Sequence, residues 1–143
     1  YCAMMLNPEL AAQAFPPGTE PRLPEIQQSK DWGVKATAGI DRSGAAYDTR
    51  NDAEASYTWR KPNGLMMLAD RARPEVAAHE MTHHLQNLAN VAPGKPDSDQ
   101  RRAIEAQAYR TERLAPHECL TIWGNWDKDK LGPLARTLTE GTQ

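Results

Sequence analysis

The sequence predicts an α+β fold, with a block of short strands followed by two helices. Two observations predict it. Between Trp32 and Leu68, short runs alternate apolar and polar residues and are broken by turn residues. From Pro74 to about Asn90 apolar residues fall at three- and four-residue spacing, and a second helix is bounded by a capping signal at Asp97 or Ser98 and by Pro116 after Ala115. The expected arrangement is a small, mostly antiparallel sheet packed against a helix carrying active-site residues and a second, ligand-bearing helix.

The chain has 143 residues, enough for one domain with a real core. Four segments are expected in it: a helix and Pro-rich arm over 1–31, the sheet over 32–70, the two helices over 74–115 and a small part over 116–143. Hydrophobic residues make up 39% and charged residues 25%, a globular composition. Net charge is −2 with both signs interspersed, and no basic stripe points to nucleic acid or an anionic membrane. No apolar run approaches the ~20 residues that span a bilayer.

At the start, Met4 to Phe15 has helical spacing, with Met5, Leu6, Leu10 and Ala14 on one side. Asn7-Pro8-Glu9 equally reads as a helix start, with Asn7 as cap and Pro8 in the first position. Pro16, Pro17, Pro21 and Pro24 then exclude regular structure until about Leu23.

Val34 to Ile40 reads as one strand, closed by the turn Asp41-Arg42-Ser43-Gly44, with Ala45 to Arg50 pairing back as a hairpin. Ala55 to Arg60 reads as a half-buried strand and Leu65 to Ala69 as an apolar one, with the turn Lys61-Pro62-Asn63-Gly64 between them.

The first long helix starts at Pro74, with Glu75 near the positive end of the dipole, and stops before Pro93-Gly94. Ala78, Met81, Leu85 and Leu88 form its apolar stripe. The second opens on Asp97-Ser98-Asp99-Gln100, which resembles a capping box, and should end before Pro116. Beyond it lie Trp123, Trp126 and a short helix expected over Pro133 to Thr139. Tyr and Trp carry polar handles, so some are expected to line a cleft as well as the core.

His79-Glu80-Met81-Thr82-His83 carries the chemistry. Residues four apart share a helix face, so two imidazoles can grip one ion from a rigid element. Glu80 lies beside that pair, where a carboxylate can take a proton from water. Two ligands and one base form the core of a zinc hydrolase. The bland reading pairs His79 with Glu80 at the surface and leaves His83 as a core histidine.

A catalytic zinc takes three protein ligands and one water. Glu105, 22 residues after His83, can be returned to the metal by a short loop and an antiparallel helix. Ala106 and Ala108 permit close helix approach, and Tyr109 and Glu112 share the Glu105 face. Glu112 and His117 are alternative third ligands. A solvated face with Arg101, Arg102 and Arg113 as partners is the non-functional reading. Asp97 and Asp99 are better explained as caps.

The H-E-x-x-H helix followed by Glu105-Ala106-Gln107-Ala108-Tyr109 resembles the gluzincin arrangement of zinc metallopeptidases, in the form of small bacterial zincins. The resemblance covers about Leu65 to Thr111. It implies a zincin-like fold, one zinc ion on His79, His83 and Glu105, and hydrolysis of peptide or protein substrates with Glu80 as general base. It also implies that the Leu65–Leu68 strand is a sheet edge along which a peptide can add. An oxyanion donor is needed; Tyr109 is the first candidate, with His84 and His117 as alternatives. A core or surface role fits His84 better, and Gln86 and Asn87 are candidate partners of the ligand imidazoles. The long C-terminal subdomain usual in the family is expected to be missing or very small in this sequence.

Two other functions compete. One is a silent binding or regulatory module whose zinc is closed by a fourth ligand, Glu112 or His117. The other is a protease held latent by its own arm, Pro16 to Pro24. Cys2 and Cys119 read as a disulfide of a periplasmic or secreted protein, as two buried thiols of a cytoplasmic one or, least of all, as a reactive thiol. The chain opens on Tyr1 rather than Met, which a cleaved signal peptide or a shortened chain would both explain.

Overall fold

The computed structural model describes residues 1–119. Trp123, Trp126 and the helix expected over Pro133 to Thr139 lie outside them. The described residues form an α+β structure of four helices and small, mostly antiparallel sheets. Among them no helix is long and apolar enough to cross a membrane.

The N-terminal segment is two helices rather than one, α1 (Cys2–Leu6) and α2 (Pro8–Ala14). Asn7 separates them at φ −133° and ψ 64°. Pro8 takes the first position of α2, as its missing N–H permits. Asn7 does not cap α2 with its side chain. Its Nδ2 instead donates to Ala3 O at 2.9 Å and to Thr111 Oγ1 at 2.8 Å. The buried face is Ala3, Leu10 and Ala14 against Leu85, while Met5, expected inside, is exposed.

The Pro-rich arm leads into a strand that periodicity did not predict, β1 (Glu25–Gln28), exposed at every residue. The Val34 to Ile40 run divides into β2 (Val34–Ala36) and β3 (Gly39–Ile40). The hairpin turn forms where expected, with β3 pairing antiparallel to β4 (Ala46–Tyr47). The Asp41 carboxylate closes that turn by accepting from the Ser43 and Ala45 N–H groups. β5 (Arg50–Ala53) then returns to pair with β2.

β6 (Ala55–Thr58) and β7 (Leu65–Leu68) form the second predicted hairpin. Glycine is required at Gly64, because a Cβ there would sit 1.7 Å from the Tyr57 hydroxyl. β1 adds in parallel to the far side of β7, giving the order β1-β7-β6. The expectation that Leu65–Leu68 is a sheet edge is therefore corrected. β7 is central, its outer backbone groups already taken by β1, and β6 is the edge facing the helices' polar residues.

α3 (Pro74–Leu88) begins and ends on recognisable signals. Asn90 is left-handed at φ 62°, Val91 N–H donates to Gln86 O and Asn90 N–H to Asn87 O. This is the Schellman termination. α3 is wrapped by α1, α2, α4 and the β6–β7 pair, so its polar residues are buried along with its apolar stripe. Leu85 is fully buried, worth about 1.5–3 kcal/mol of transfer free energy.

α4 (Asp99–Glu118) is capped by Ser98, whose Oγ accepts from Arg101 N–H at 3.1 Å. Asp97 and Asp99 are not the cap. α4 packs antiparallel on α3 through Ile104, Ala108, Thr111 and Ala115, a 4-3-4 stripe. Ala106 points outward and takes no part. The helix runs through Pro116 instead of stopping before it. Proline lacks only one intrahelical donor there, near the helix end, and the next turn is held by Cys119 N–H on Ala115 O.

The Cys2 and Cys119 sulfurs lie at disulfide distance, 2.17 Å, and pack with Ala78 and Ala115. A link across 117 residues removes much chain entropy from the unfolded state, so it should contribute about 2–5 kcal/mol. Urea unfolding with and without reductant checks this. An unchanged midpoint would show that the link adds no stability.

Candidate metal centre

Helix geometry puts His79 and His83 on one face of α3 with Glu80 beside them, and the rest of the fold closes around the three. Their ligand atoms lie within 4.8 Å of one another, and among the described residues this is the group compact enough to hold a metal ion. α4 brings Glu105 against both imidazoles. Its Oε1 is 2.7 Å from His83 Nε2 and its Oε2 3.4 Å from His79 Nε2. Donors on a tetrahedral zinc at about 2.0–2.1 Å would stand roughly 3.3 Å apart. Glu80 is further off, with its Oε1 4.0 Å from His79 Nε2. The four side chains are buried, between 4% and 8% exposed.

Every other buried polar side chain of α3 is satisfied within the protein. Thr82 donates to Ala78 O. His84 bridges Arg22 O and the Tyr57 hydroxyl, at 2.7 Å and 2.9 Å, and so serves the core. Facing a carbonyl, its Nε2 is the donor, and its Nδ1 accepts from Tyr57; burial lowers its pKa accordingly. Asn87 donates to Tyr57 and to Arg60 O, so it does not support a ligand imidazole. Gln86 does: its Oε1 lies 2.8 Å from His83 Nδ1, while its Nε2 donates to Ile104 O and Gln107 Oε1. Those two bonds fix the amide so that His83 Nδ1 must donate. That leaves His83 Nε2 with a lone pair, aimed at Glu105.

A lone pair 2.7 Å from a carboxylate is unfavourable unless a proton or a cation stands there. The same tension appears at His79. Its Nδ1 is buried without a hydrogen-bond partner, and Glu112 Oε1 stands 3.4 Å away, out of alignment. A cation on Nε2 would fix the Nδ1–H tautomer, with Glu112 as the acceptor. The residues present therefore fit a divalent metal: two imidazoles, one carboxylate bridging them, and buried negative charge to balance.

The electrostatics agree. Burial works against a charged His79, but Glu105, Glu112 and Glu80 overcome it and raise its pKa to about 10. Burial would raise Glu105 too, yet His83 and His79 hold it well below the usual carboxylate range. Glu112 is lowered against its burial by His79 and Arg42. Glu80 differs from both. Burial dominates there and raises its pKa despite the two histidines. A buried carboxylate with a raised pKa beside two imidazoles is suited to move a proton.

Glu112 faces the Nδ1 side of His79 and is bound by Arg42 at 2.7 Å. It stands behind the ligand and does not close the site. His117 lies exposed in the last turn of α4, about 18 Å along the helix from Glu105 at 1.5 Å per residue. Tyr109 lines the cleft and meets the His79 ring edge-on, ring centres 4.5 Å apart. Its hydroxyl proton is donated to Ile40 O at 2.9 Å. In this arrangement it braces His79 and the β3–β4 hairpin, with no proton left for an oxyanion.

The cleft over these residues is walled by β2, the β3–β4 hairpin, β5, β6, α3 and α4. No residue of the arm lines it. The arm is instead tied to His84 through Arg22 O. Tyr47, Tyr57, Trp59 and Tyr109 do line it, whereas Trp32 is exposed. No model of a known protein family matches the chain, no curated protein matches it, and no solved structure matches it.

Tyr47 and Arg50 were not singled out from sequence, and Arg101 entered there only as a partner on a solvated face. Arg101 lies one helical turn before Glu105 and so shares its face, a signal that was available. Tyr47 and Arg50 arrive through strand pairing, which leaves no local mark. Gln86→Leu tests the support of His83. It should weaken divalent metal binding about 10–100-fold, read by competition with a chelator. Equal affinity would mean that Gln86 does not orient the imidazole.

Proposed function

We propose that this protein is a zinc-dependent metallopeptidase of the gluzincin type, with His79, His83 and Glu105 as ligands. The observation that carries the reading is Glu105 against both Nε2 atoms, at 2.7 Å and 3.4 Å, with buried Glu80 beside the set at 4.0 Å from His79. A zinc ion held there would acidify water and polarise the scissile carbonyl. Glu80 is the general base that takes a proton from the attacking water and hands it to the leaving amine. Gln86 and Glu112 orient His83 and His79 from behind. β6 is the outer strand of its sheet and lines the cleft beside these residues, so a substrate backbone can add to it.

A silent module with a closed zinc site is the second reading, and it needs a fourth ligand. Glu112 and His117 are poorly disposed to supply one, for the reasons of position given above. The latent reading draws no support from the arm, which does not line the cleft. The paired cysteines favour an oxidising compartment, periplasmic or secreted, for this activity.

The test is cleavage of a mixed peptide library by zinc-loaded protein, followed by chelation and re-addition of zinc. Cleavage that is lost on chelation and restored by zinc supports the reading. A fully zinc-loaded protein that cleaves nothing would favour the silent module.

A further inference from the structure

The cleft holds four carboxylates and four cationic side chains, and the two sets are not matched. The carboxylates are all engaged on the protein side. Glu54 is paired with Arg73, Glu112 with Arg42 and His79, and Glu80 and Glu105 stand at the imidazoles. Of the cations, Arg42 is taken by Glu112. Lys35, Arg50 and Arg101 remain on the cleft wall, brought together from β2, β5 and α4.

Arg101 is the telling member. Its Nε donates to Pro93 O at 2.8 Å, and its two terminal nitrogens approach Ala38 O and Gly94 O at 3.4 Å. Among the described residues these partners are all carbonyls. Three of its five N–H donors are thereby used, and no carboxylate of the described residues pairs with its charge. Among the described residues Arg50 pairs loosely with exposed Asp52 at 3.7 Å and acts at longer range on Asp41, and it lies over the Tyr47 ring with Cζ 5.6 Å from its centre. Burial, Glu105 and Glu80 raise the Tyr47 pKa, and Arg50 and Arg101 oppose them, so both guanidiniums act on the same hydroxyl. A divalent ion at the histidines would make this wall more positive still.

We propose that the cleft selects substrates bearing a carboxylate, received by Arg101 and Arg50 beside the Tyr47 hydroxyl. Arginine presents paired donors that match a carboxylate, and a half-buried guanidinium held by carbonyls gains most from one. The group is supplied by an aspartate or glutamate side chain or by the free C-terminus of a peptide. This deepens the metallopeptidase reading and rests on it for the nature of the substrate.

The experiment uses zinc-loaded Glu80→Gln protein, so that peptides bind uncut, and four matched peptides. They carry Asp/Glu or Asn/Gln, each with a free or an amidated C-terminus. Affinities are read by fluorescence anisotropy at two salt concentrations. The carboxylate forms should bind about tenfold or more tightly than the neutral forms, with the difference shrinking in high salt. Loss on amidation alone assigns the chain terminus, and loss with Asn/Gln alone assigns the side chain. Arg101→Gln and Arg50→Gln should each reduce the ratio, with zinc content unchanged. Arg50 holds no backbone carbonyl, so its variant keeps the test if Arg101→Gln does not fold. Equal binding of all four peptides, no binding of any, or a ratio that survives both substitutions overturns the proposal. A carboxylate preference without turnover by the wild type would uphold it while sinking the peptidase reading.

Discussion

Glu80→Gln should keep its metal and lose turnover by about 10²–10⁴-fold, the usual contribution of a general base. The substitution is nearly isosteric, and Glu80 stands outside the set of donors closest together. The buried amide cannot accept a proton from water. Metal content and kcat/KM measured on the same preparations separate the two effects. Loss of both together would make Glu80 a ligand. Retention of turnover would remove it from the chemistry.

Glu105→Ala should have the largest effect on metal affinity. Glu105 faces both Nε2 atoms and supplies the negative charge nearest to them. An outer partner such as Gln86 is worth about 10–100-fold in affinity, so a ligand should exceed that range. Competition with a chelator at fixed pH measures it. The loss should come without a loss of fold, since among the described residues the Glu105 carboxylate pairs with the two histidines, and buried Ala108, Thr111 and Ala115 hold the helix in place. Unchanged affinity would move the third ligand elsewhere.

The parts legible in sequence were those with local or periodic signatures. α3 declared itself by apolar spacing and by Pro74 at the start, and α4 by Ser98 as a cap. His79, Glu80 and His83 were visible from one helix turn, and Glu105 from the length of the return helix. The two hairpins were marked by Asp41–Gly44 and Lys61–Gly64.

What stayed hidden depends on non-local pairing. β1 is short, polar and exposed, and it exists as a strand because β7 offers it a parallel edge. That addition made β7 central and transferred the open edge to β6. The start of α2 at Pro8 was legible, but the turn of the Asn7 side chain toward Thr111, 104 residues away, was not. Tyr109 shares the Glu105 face as expected, yet the direction of its hydroxyl was set by the Ile40 carbonyl on another element. Helix periodicity places a side chain on a face, and the partner that face meets decides what the side chain does.

X-ray absorption at the zinc edge, on protein loaded to saturation, tests the central claim most directly. The account predicts one zinc per chain, with two imidazole nitrogens and carboxylate oxygen at about 2.0–2.2 Å and a remaining position for a light exchangeable ligand. Substitution of Glu105 should remove oxygen from that shell. A protein that takes up no zinc at neutral pH, or a shell without the two imidazoles, would contradict it.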